Sequence, residues 1–298
     1  MKTTYLDYAA YLARVFPGVK MQKLSVNAGL SCPNRDGTTG RGGCSYCNNQ
    51  SFSPGYTATA ADVVDQLEAG KRFFARKYPE MKYLAYFQSY TGTHGEIDHL
   101  TDLYRRALAV DDVEGLIVAT RPDCLPPALV DRLAEIARDR NLMIELGAES
   151  SHDATLARVN RCHTWADTVD AVTRLHDAGI AVGLHLIMGL PGETTAMMLA
   201  TIDAVNRLPV ATVKLHQLQL IAGTPLARDV EAGREEVAIF EVDDYIDLCC
   251  NVIDRLRDDI AIERFVSQSP DNLLIAPRWG LKNYQFVDRL RAALRARK

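Results

Sequence analysis

The sequence has no long apolar run, no export signal and no excess of positive charge. Its 298 residues contain no apolar stretch of about 18 residues, so no membrane-spanning helix is expected. Asp7 and Arg14 interrupt the apolar pattern near the N-terminus, which is not typical of a secretory signal. We therefore expect a cytoplasmic protein whose seven cysteines are in a reducing compartment.

The charge balance excludes a surface that coats nucleic acid as a whole. Lys and Arg total 34 and Asp and Glu total 38, for a net charge of −4. Residues 289–298 are the exception, with four Arg, one Lys and no acidic residue. We interpret this segment as the solvated end of an amphipathic helix, the alternative being a contact with a phosphate backbone.

Short β-rich segments alternate with amphipathic helices along most of the chain. Apolar patterns predict strands at residues 23–28, 83–89, 115–120, 142–147, 180–188 and 212–220, with a further short strand at 260–265. Helices are predicted at residues 60–77, 97–109, 127–139, 153–160, 165–178, 193–208, 243–258 and 284–297.

This alternation is typical of parallel βαβ units. We predict an α/β fold, a partial (βα)6 TIM-type barrel of parallel strands with N- and C-terminal extensions. Residues 21–230 would form the barrel core. Residues 1–20 would form a helical extension, and residues 231–298 would form an extension packed on the barrel.

Three cysteines lie in the loop after the first predicted strand. The segment GLSCPNRDGTTGRGGCSYCNNQSF separates Cys32 from Cys44 by eleven residues and Cys44 from Cys47 by two. In a barrel of parallel strands, chemistry occurs on the loops that follow the strands' carboxyl ends. The glycines of this loop allow the backbone to fold tightly around a compact object.

Three thiolates are one ligand short of a closed zinc site, and the next candidate, His94, is distant in sequence. An iron–sulfur cluster with three protein ligands leaves one iron open for chemistry. We therefore favour an iron–sulfur cluster over zinc or a disulfide. The four remaining cysteines, Cys124, Cys162, Cys249 and Cys250, show no CxxC spacing, so no second cluster is expected. Cys249 and Cys250 are adjacent in an apolar helix and are expected in the core.

The segment CPNRDGTTGRGGCSYC resembles the radical S-adenosylmethionine (AdoMet) superfamily. The usual spacing there is CxxxCxxC, and a longer first gap is typical of its Elongator-like (Elp3-type) branch. The segment is also similar to a bacterial family of short Elongator-like proteins. The resemblance covers about residues 5–285, which is nearly the whole chain.

The resemblance implies a [4Fe-4S] cluster bound by the three cysteines, with AdoMet on the open iron. Reductive cleavage of AdoMet would give a 5′-deoxyadenosyl radical that removes hydrogen from a substrate. An electron donor of the flavodoxin or ferredoxin type is then expected. The alternative is a non-catalytic iron–sulfur or zinc-binding regulatory or interaction protein.

The resemblance also implies AdoMet contacts near the first two strands. Tyr46 would stack near the adenine, although a loop aromatic can simply pack on the barrel. Gln88 and Ser89 stand where relatives often have a Gly-Gly-Glu that contacts the methionine amino group. These two polar residues could instead be turn formers.

Residues 145–163, ELGAESSHDATLARVNRCH, resemble a pattern of oxygen-independent coproporphyrinogen oxidases. Arg161 falls at the position of an Arg that binds the AdoMet carboxylate, and guanidinium suits such a group. Glu149 replaces a Gln near the same end of AdoMet and could instead pair with Arg161 or His163. Glu145 is expected to point inward.

Residues 183–193, GLHLIMGLPGE, are similar to the adenine-side strand of the family. Gly189 would allow close backbone approach. His185 would contact the ribose or be a core histidine. Three residues of the sixth strand would face either the substrate or a polar outer surface; they are Lys214, His216 and Gln219.

The substrate class stays open between a small molecule, a protein and tRNA. Elongator-like relatives modify tRNA, and the basic residues 289–298 favour RNA. The acidic net charge of −4 favours a small molecule or a protein.

Overall fold

The computed structural model describes residues 1–51, 55–58, 62–75 and 80–297. The strands are β1 (Met21–Val26), β2 (Lys82–Phe87), β3 (Val113–Thr120), β4 (Asn141–Glu149), β5 (Ala181–Met188), β6 (Thr212–Gln217), β7 (Leu220–Ile221), β8 (Ala261–Arg264) and β9 (Leu274–Ala276). The α-helices are α1 (Tyr8–Val15), α2 (Pro33–Asp36), α3 (Val63–Ala75), α4 (Ile97–Leu108), α5 (Pro127–Asp139), α6 (Asp153–Arg158), α7 (Trp165–Asp177), α8 (Thr195–Val205), α9 (Pro225–Glu231), α10 (Val242–Arg255) and α11 (Asn283–Ala296). Two short 3₁₀ helices, Asn49–Ser51 and Gly55–Ala58, follow the cysteine loop.

Seven strands form one parallel sheet in the order β1-β2-β3-β4-β5-β6-β8. Its two edge strands approach each other, because Lys23 Nζ on β1 lies 2.6 Å from Glu263 Oε2 on β8. The sheet is therefore curled into a half-barrel, which confirms the predicted α/β partial TIM-type barrel. The short strand predicted at 260–265 is the seventh strand of that sheet.

The central strands β3 and β4 are buried on both faces, as expected of a parallel sheet covered by helices. Every residue of β4 after Asn141 is buried, and β3 exposes part of Glu114 alone. Helix α7 begins with a capping box, in which Thr164 and Asp167 satisfy each other's backbone amides. Local capping and the burial of apolar faces thus account for the repeated strand–helix units.

Two element boundaries differ from the sequence prediction. The sixth strand was predicted to run to residue 220, but β6 ends at Gln217 and the chain then forms β7, which pairs antiparallel with β9. The Gln217 side chain bonds both ways to Ser267, which turns the chain out of the sheet at this point. The helix predicted at 60–77 is observed as α3, and residues 60–61 and 76–77 lie outside the described residues.

The C-terminal helices pack against each other and on the sheet. Cys249 and Cys250 of α10 are fully buried, as predicted for core residues. The basic end of α11 forms intramolecular ion pairs, from Arg297 to Asp247 at 3.2 Å and from Arg291 to Asp7 at 3.4 Å. In the described part of the chain, no helix is both long and apolar enough to cross a membrane.

Candidate radical AdoMet site

The cysteine loop is fixed by its own helix α2 and by contacts to two later segments. Cys32 immediately precedes α2, and Gly37 ends that helix in a left-handed conformation with φ of 96°. Asn34, which is fully buried, donates to the backbone oxygen of Asn160 at 2.5 Å. His94 contacts Asp36 at 2.8 Å between Nε2 and Oδ2. These bonds hold the loop over the carboxyl ends of the strands.

The three cysteines line one cavity of about 220 Å³ at the carboxyl ends of the parallel strands. Burial and the neighbouring Cys44 thiol raise the pKa of the Cys47 thiol, and the Arg35 guanidinium opposes that rise. Arg35 also donates to the Cys47 backbone oxygen at 2.8 Å. A cation therefore lies beside thiols that must lose their protons to bind metal.

Five residues predicted to contact AdoMet line the same cavity as the cysteines; they are Tyr46, Gln88, Glu149, Arg161 and His185. Ser89 and Gly189 are outside that lining. Gly189 has a φ of 91°, and a Cβ there would come within 2.9 Å of the Phe240 ring. Close packing against Phe240 thus accounts for glycine at this position.

Arg161 joins the fourth strand to the cysteine loop. Its Nη1 lies 3.4 Å from Cys44 Sγ, and its Nη2 donates to the Gly147 oxygen at 2.5 Å. Glu149 Oε1 is 3.4 Å from Nη2, so the ion pair weighed in the sequence analysis is formed. The buried Nε of Arg161 has no hydrogen-bond partner. One donor of this guanidinium is therefore left for a ligand.

Burial shifts the pKa values of two groups near Arg161. Burial raises the pKa of Glu149, against the opposing effect of Arg161. Burial, followed by the charge of Arg161, lowers the pKa of His163 to about 3. Glu149 also has a φ of 65°, at the irregularity that ends the pairing of β4 with β5. Such strained backbone is frequent at ligand sites.

Arg121 is a site residue that the sequence reasoning missed. It directly follows β3, is 2% exposed and lines the cavity. Its Nε and Nη2 bond to the Asp123 carboxylate at 2.9 and 2.7 Å, and its buried Nη1 has no partner. Its position after a strand's carboxyl end was a signal that could have identified it.

Four buried charges, here called the ion quartet, lie beneath the cavity: Lys23, Glu145, Lys214 and Glu263. Each lysine contacts both glutamates, with N–O distances of 2.6 to 2.9 Å. Although burial would raise the pKa of Glu145, the ammonium groups of Lys214 and Lys23 hold it well below its usual range. The inward orientation predicted for Glu145 is observed, whereas the quartet itself was not predicted.

His185 extends the ion quartet into the cavity. Its Nε2 lies 2.7 Å from Glu145 Oε2, and burial together with Lys214 lowers its pKa to about 4. The imidazole is therefore neutral near pH 7. His216, on β6, lies beside it with ring centroids 5.6 Å apart. Both rings line the same cavity as the cysteines.

The donor set fits a cluster with three protein ligands and an anionic partner molecule. Among the residues that the structure describes, no three His, Cys, Asp or Glu side chains converge on a single ion position. Ligands of a [4Fe-4S] cluster bind separate irons and need not converge. Three buried guanidinium donors without hydrogen-bond partners, on Arg121, Arg161 and Arg264, belong to residues that line the same cavity. Such donors suit a carboxylate.

Comparison with known proteins identifies the class to which this fold and site correspond. Residues 34–205 match the Radical SAM superfamily, and residues 210–296 match the Radical_SAM C-terminal domain. The chain belongs to the radical SAM superfamily, as its cysteine loop predicted. Members of this superfamily in general use a [4Fe-4S] cluster and AdoMet.

The chain is also similar to individual proteins and solved structures. It is 35% identical to the uncharacterised protein YtqA of Bacillus subtilis, over 96% of this chain and 88% of YtqA. It is 37% identical to protein YhcC of Escherichia coli, over 88% of this chain and 83% of YhcC. The archaeal Elp3 of Methanocaldococcus infernus has the same fold, with a TM-score of 0.72 and 16% identity over 94% of this chain and 63% of that chain.

Proposed function

We propose that this protein is a radical AdoMet enzyme whose [4Fe-4S] cluster is bound by Cys32, Cys44 and Cys47. The observation that supports this most directly is the shared cavity, which combines three cysteines with an unpartnered guanidinium donor of Arg161. When bound and reduced, the cluster supplies the electron that cleaves AdoMet to a 5′-deoxyadenosyl radical. The chain's own residues bind, orient and shield the reactants.

In this proposal Arg161 binds the AdoMet carboxylate. Its Nη1 lies 3.4 Å from Cys44 Sγ, and this closeness of a cation to a proposed cluster ligand supports the assignment. Arg121 adds a second buried donor on the same side of the cavity. Glu149 stays beside Arg161 and keeps it oriented, because the two remain ion-paired at 3.4 Å.

The other contacts follow from side chains already in the cavity. Tyr46 offers a ring for the adenine, and Gln88, whose Oε1 accepts from Ser25 at 3.0 Å, keeps its amide NH₂ for a ligand acceptor. Neutral His185 contacts the ribose with the imidazole nitrogen that Glu145 does not hold. We retain Ser89 and Gly189 as AdoMet contacts. Ser89 lies between Gln88 and Tyr90, which both line the cavity, and Gly189 directly follows β5.

The reductant and substrate are proposed by class. A flavodoxin- or ferredoxin-type donor supplies the electron, in a cytoplasmic setting. Of the three substrate classes, a small molecule or a protein is favoured over tRNA. The supporting observation is that Arg291 and Arg297 in the basic C-terminal segment are already engaged by Asp7 and Asp247.

Anaerobic reconstitution with iron and sulfide tests the proposal. The reconstituted protein, given dithionite and AdoMet, should form 5′-deoxyadenosine, measured by liquid chromatography and mass spectrometry. The control is the same protein without dithionite. A fully loaded, reduced protein that neither binds nor cleaves AdoMet would show that the chain is a non-catalytic metal-binding protein.

A further inference from the structure

Arg264, on β8, carries a positive charge on the wall of the cavity. The ion quartet beside it is already balanced, because two lysines contact two glutamates. Among the described residues, no carboxylate lies within 4.0 Å of the Arg264 guanidinium. Lys214 is the β6 residue in register with Arg264, so the nearest strand neighbour is another cation. The β6–β8 wall of the cavity therefore carries one positive charge in excess.

The donors of Arg264 are also left incomplete. Its Nε is buried and has no hydrogen-bond partner. Its Nη2 contacts the His216 ring nitrogens at 3.1 and 3.2 Å. An unpaired buried donor on a charged group destabilises the folded protein unless a ligand satisfies it.

His216 holds this guanidinium in place without competing for an anion. Burial and the charge of Arg264 lower the pKa of His216 well below its usual range, so the ring is neutral and can accept from Nη2. The segment after β8 is equally fixed, because Gln217 and Gln219 both donate to the Ser267 oxygen, at 3.1 and 3.2 Å. The wall is thus preorganised before any ligand arrives.

Arg264 can be reached from two sides. It lines the cavity that contains the cysteines and also a second cavity of about 450 Å³, which is bordered by Lys23 of β1 and Glu263 of β8. The AdoMet carboxylate is already provided for by Arg161 and Arg121 beside the cysteine loop. The free donor of Arg264 therefore serves another molecule.

We propose that Arg264, held by His216, binds an anionic group of the substrate, a carboxylate or a phosphate, on the β6–β8 wall. That the bound anion belongs to a substrate rests on the proposed function, whereas the anion site rests on the geometry of Arg264 alone. Neutral substrates, and cations above all, would leave the surplus charge of this wall unbalanced.

The test uses the full chain with its cluster reconstituted, saturated with AdoMet and kept without reductant, so that no AdoMet is consumed. Inorganic phosphate and ¹³C-labelled acetate are titrated in separate arms and followed by ³¹P and ¹³C line broadening. We expect saturable binding of one of the two anions. Loss of the charge-assisted contact in Arg264→Gln should weaken that binding about tenfold or more. The arm that responds distinguishes a phosphate from a carboxylate ligand.

Two further variants keep the result interpretable. Arg234→Gln removes an exposed arginine that is paired with Asp229, and it should bind the anion as the wild type does. If Arg264→Gln does not fold, Arg264→Lys takes its place, since it keeps the charge but loses the Nε donor and should bind with intermediate affinity. Circular dichroism and iron content establish that each variant is folded and loaded.

Three outcomes would overturn the proposal. They are the absence of saturable binding of either anion, binding that Arg264→Gln leaves intact, and binding that is seen only in a parallel titration without AdoMet, which would assign Arg264 to the cofactor. Repeating the titration on cluster-free protein separates this idea from the proposed function. Anion binding at Arg264 without any AdoMet cleavage would contradict the function while leaving the anion site in place.

Discussion

The cavity has two sides that are built in different ways. The cysteine side combines Cys32, Cys44 and Cys47 with Arg161, and its three proposed metal ligands lie within 16 residues of one another. The opposite region is the ion quartet, in which Lys23 and Glu263 are 240 positions apart in the chain. Substitutions in a single loop can alter the proposed ligands without disturbing the barrel. The quartet, in contrast, joins the two edge strands and also contacts His185 in the cavity, so its substitution affects both stability and the site.

Cysteine variants should give the largest effect and should act on the cysteine side alone. Replacing Cys32, Cys44 or Cys47 by Ala removes one of three ligands, so we expect loss of the cluster, measured as iron and sulfide content after anaerobic reconstitution. The unfolding free energy of the cluster-free protein should change little by comparison with the Glu145 variant described below.

Cys124→Ala is the matched control for these variants. Cys124 is half-buried and is not part of the cavity lining, so its variant should retain the cluster. A protein with all three loop cysteines replaced that still held four irons would contradict the ligand assignment. In that case the cysteine side of the cavity would not be the side that provides the metal ligands.

The sequence was sufficient for features that depend on local pattern. Strand and helix periodicity predicted the half-barrel, and the cysteine loop predicted the radical SAM superfamily. That Cys32, Cys44 and Cys47 bind the cluster stays a prediction. The Lys23–Glu263 contact could not be predicted, since it depends on how far the sheet curls. Arg121 was missed although its place after β3 marks it as a site residue, and Arg264 was missed because β8 is short.

Breaking the ion quartet should give the next largest effect, this time on stability. Glu145→Ala leaves two buried ammonium groups, on Lys23 and Lys214, to share Glu263. Removing one partner of buried ion pairs costs about 3–5 kcal/mol. Urea denaturation of the cluster-free protein, monitored by circular dichroism, measures the loss.

Glu114→Ala is the control for the quartet. Glu114 lies on β3 in an exposed contact with Lys82 at 3.7 Å, and its loss should cost less than about 1 kcal/mol. If Glu145→Ala were as stable as Glu114→Ala, the quartet would not hold the barrel edges together. The cysteine side and the ion quartet would then not differ in their contribution to stability.

Arg161→Lys should weaken AdoMet binding without loss of the cluster. A lysine keeps the charge but loses the planar fork, and a charge-assisted hydrogen bond contributes about 1.5–3 kcal/mol, so affinity should fall roughly ten- to hundredfold. Equilibrium dialysis with radiolabelled AdoMet and loaded, oxidised protein measures this. Arg158→Lys, three residues earlier in an exposed pair with Glu235, should bind normally. Wild-type affinity in Arg161→Lys would remove Arg161 from the AdoMet site.

The smallest expected effect concerns the pH dependence of stability on the quartet side. The pKa of His185 is lowered to about 4 in the folded protein from 6.5, so the unfolded chain takes up the proton first as the pH falls. The stability due to neutral His185 is therefore complete above about pH 6.5 and is lost between there and pH 4. His185→Gln should make the dependence of unfolding free energy on pH shallower in this window, by at most about 1.4 kcal/mol per pH unit. His176→Gln, an exposed site on α7, should leave the slope unchanged. Equal slopes for the two variants in urea denaturation at about pH 4.5, 5.5 and 6.5 would mean that the fold does not hold His185 neutral.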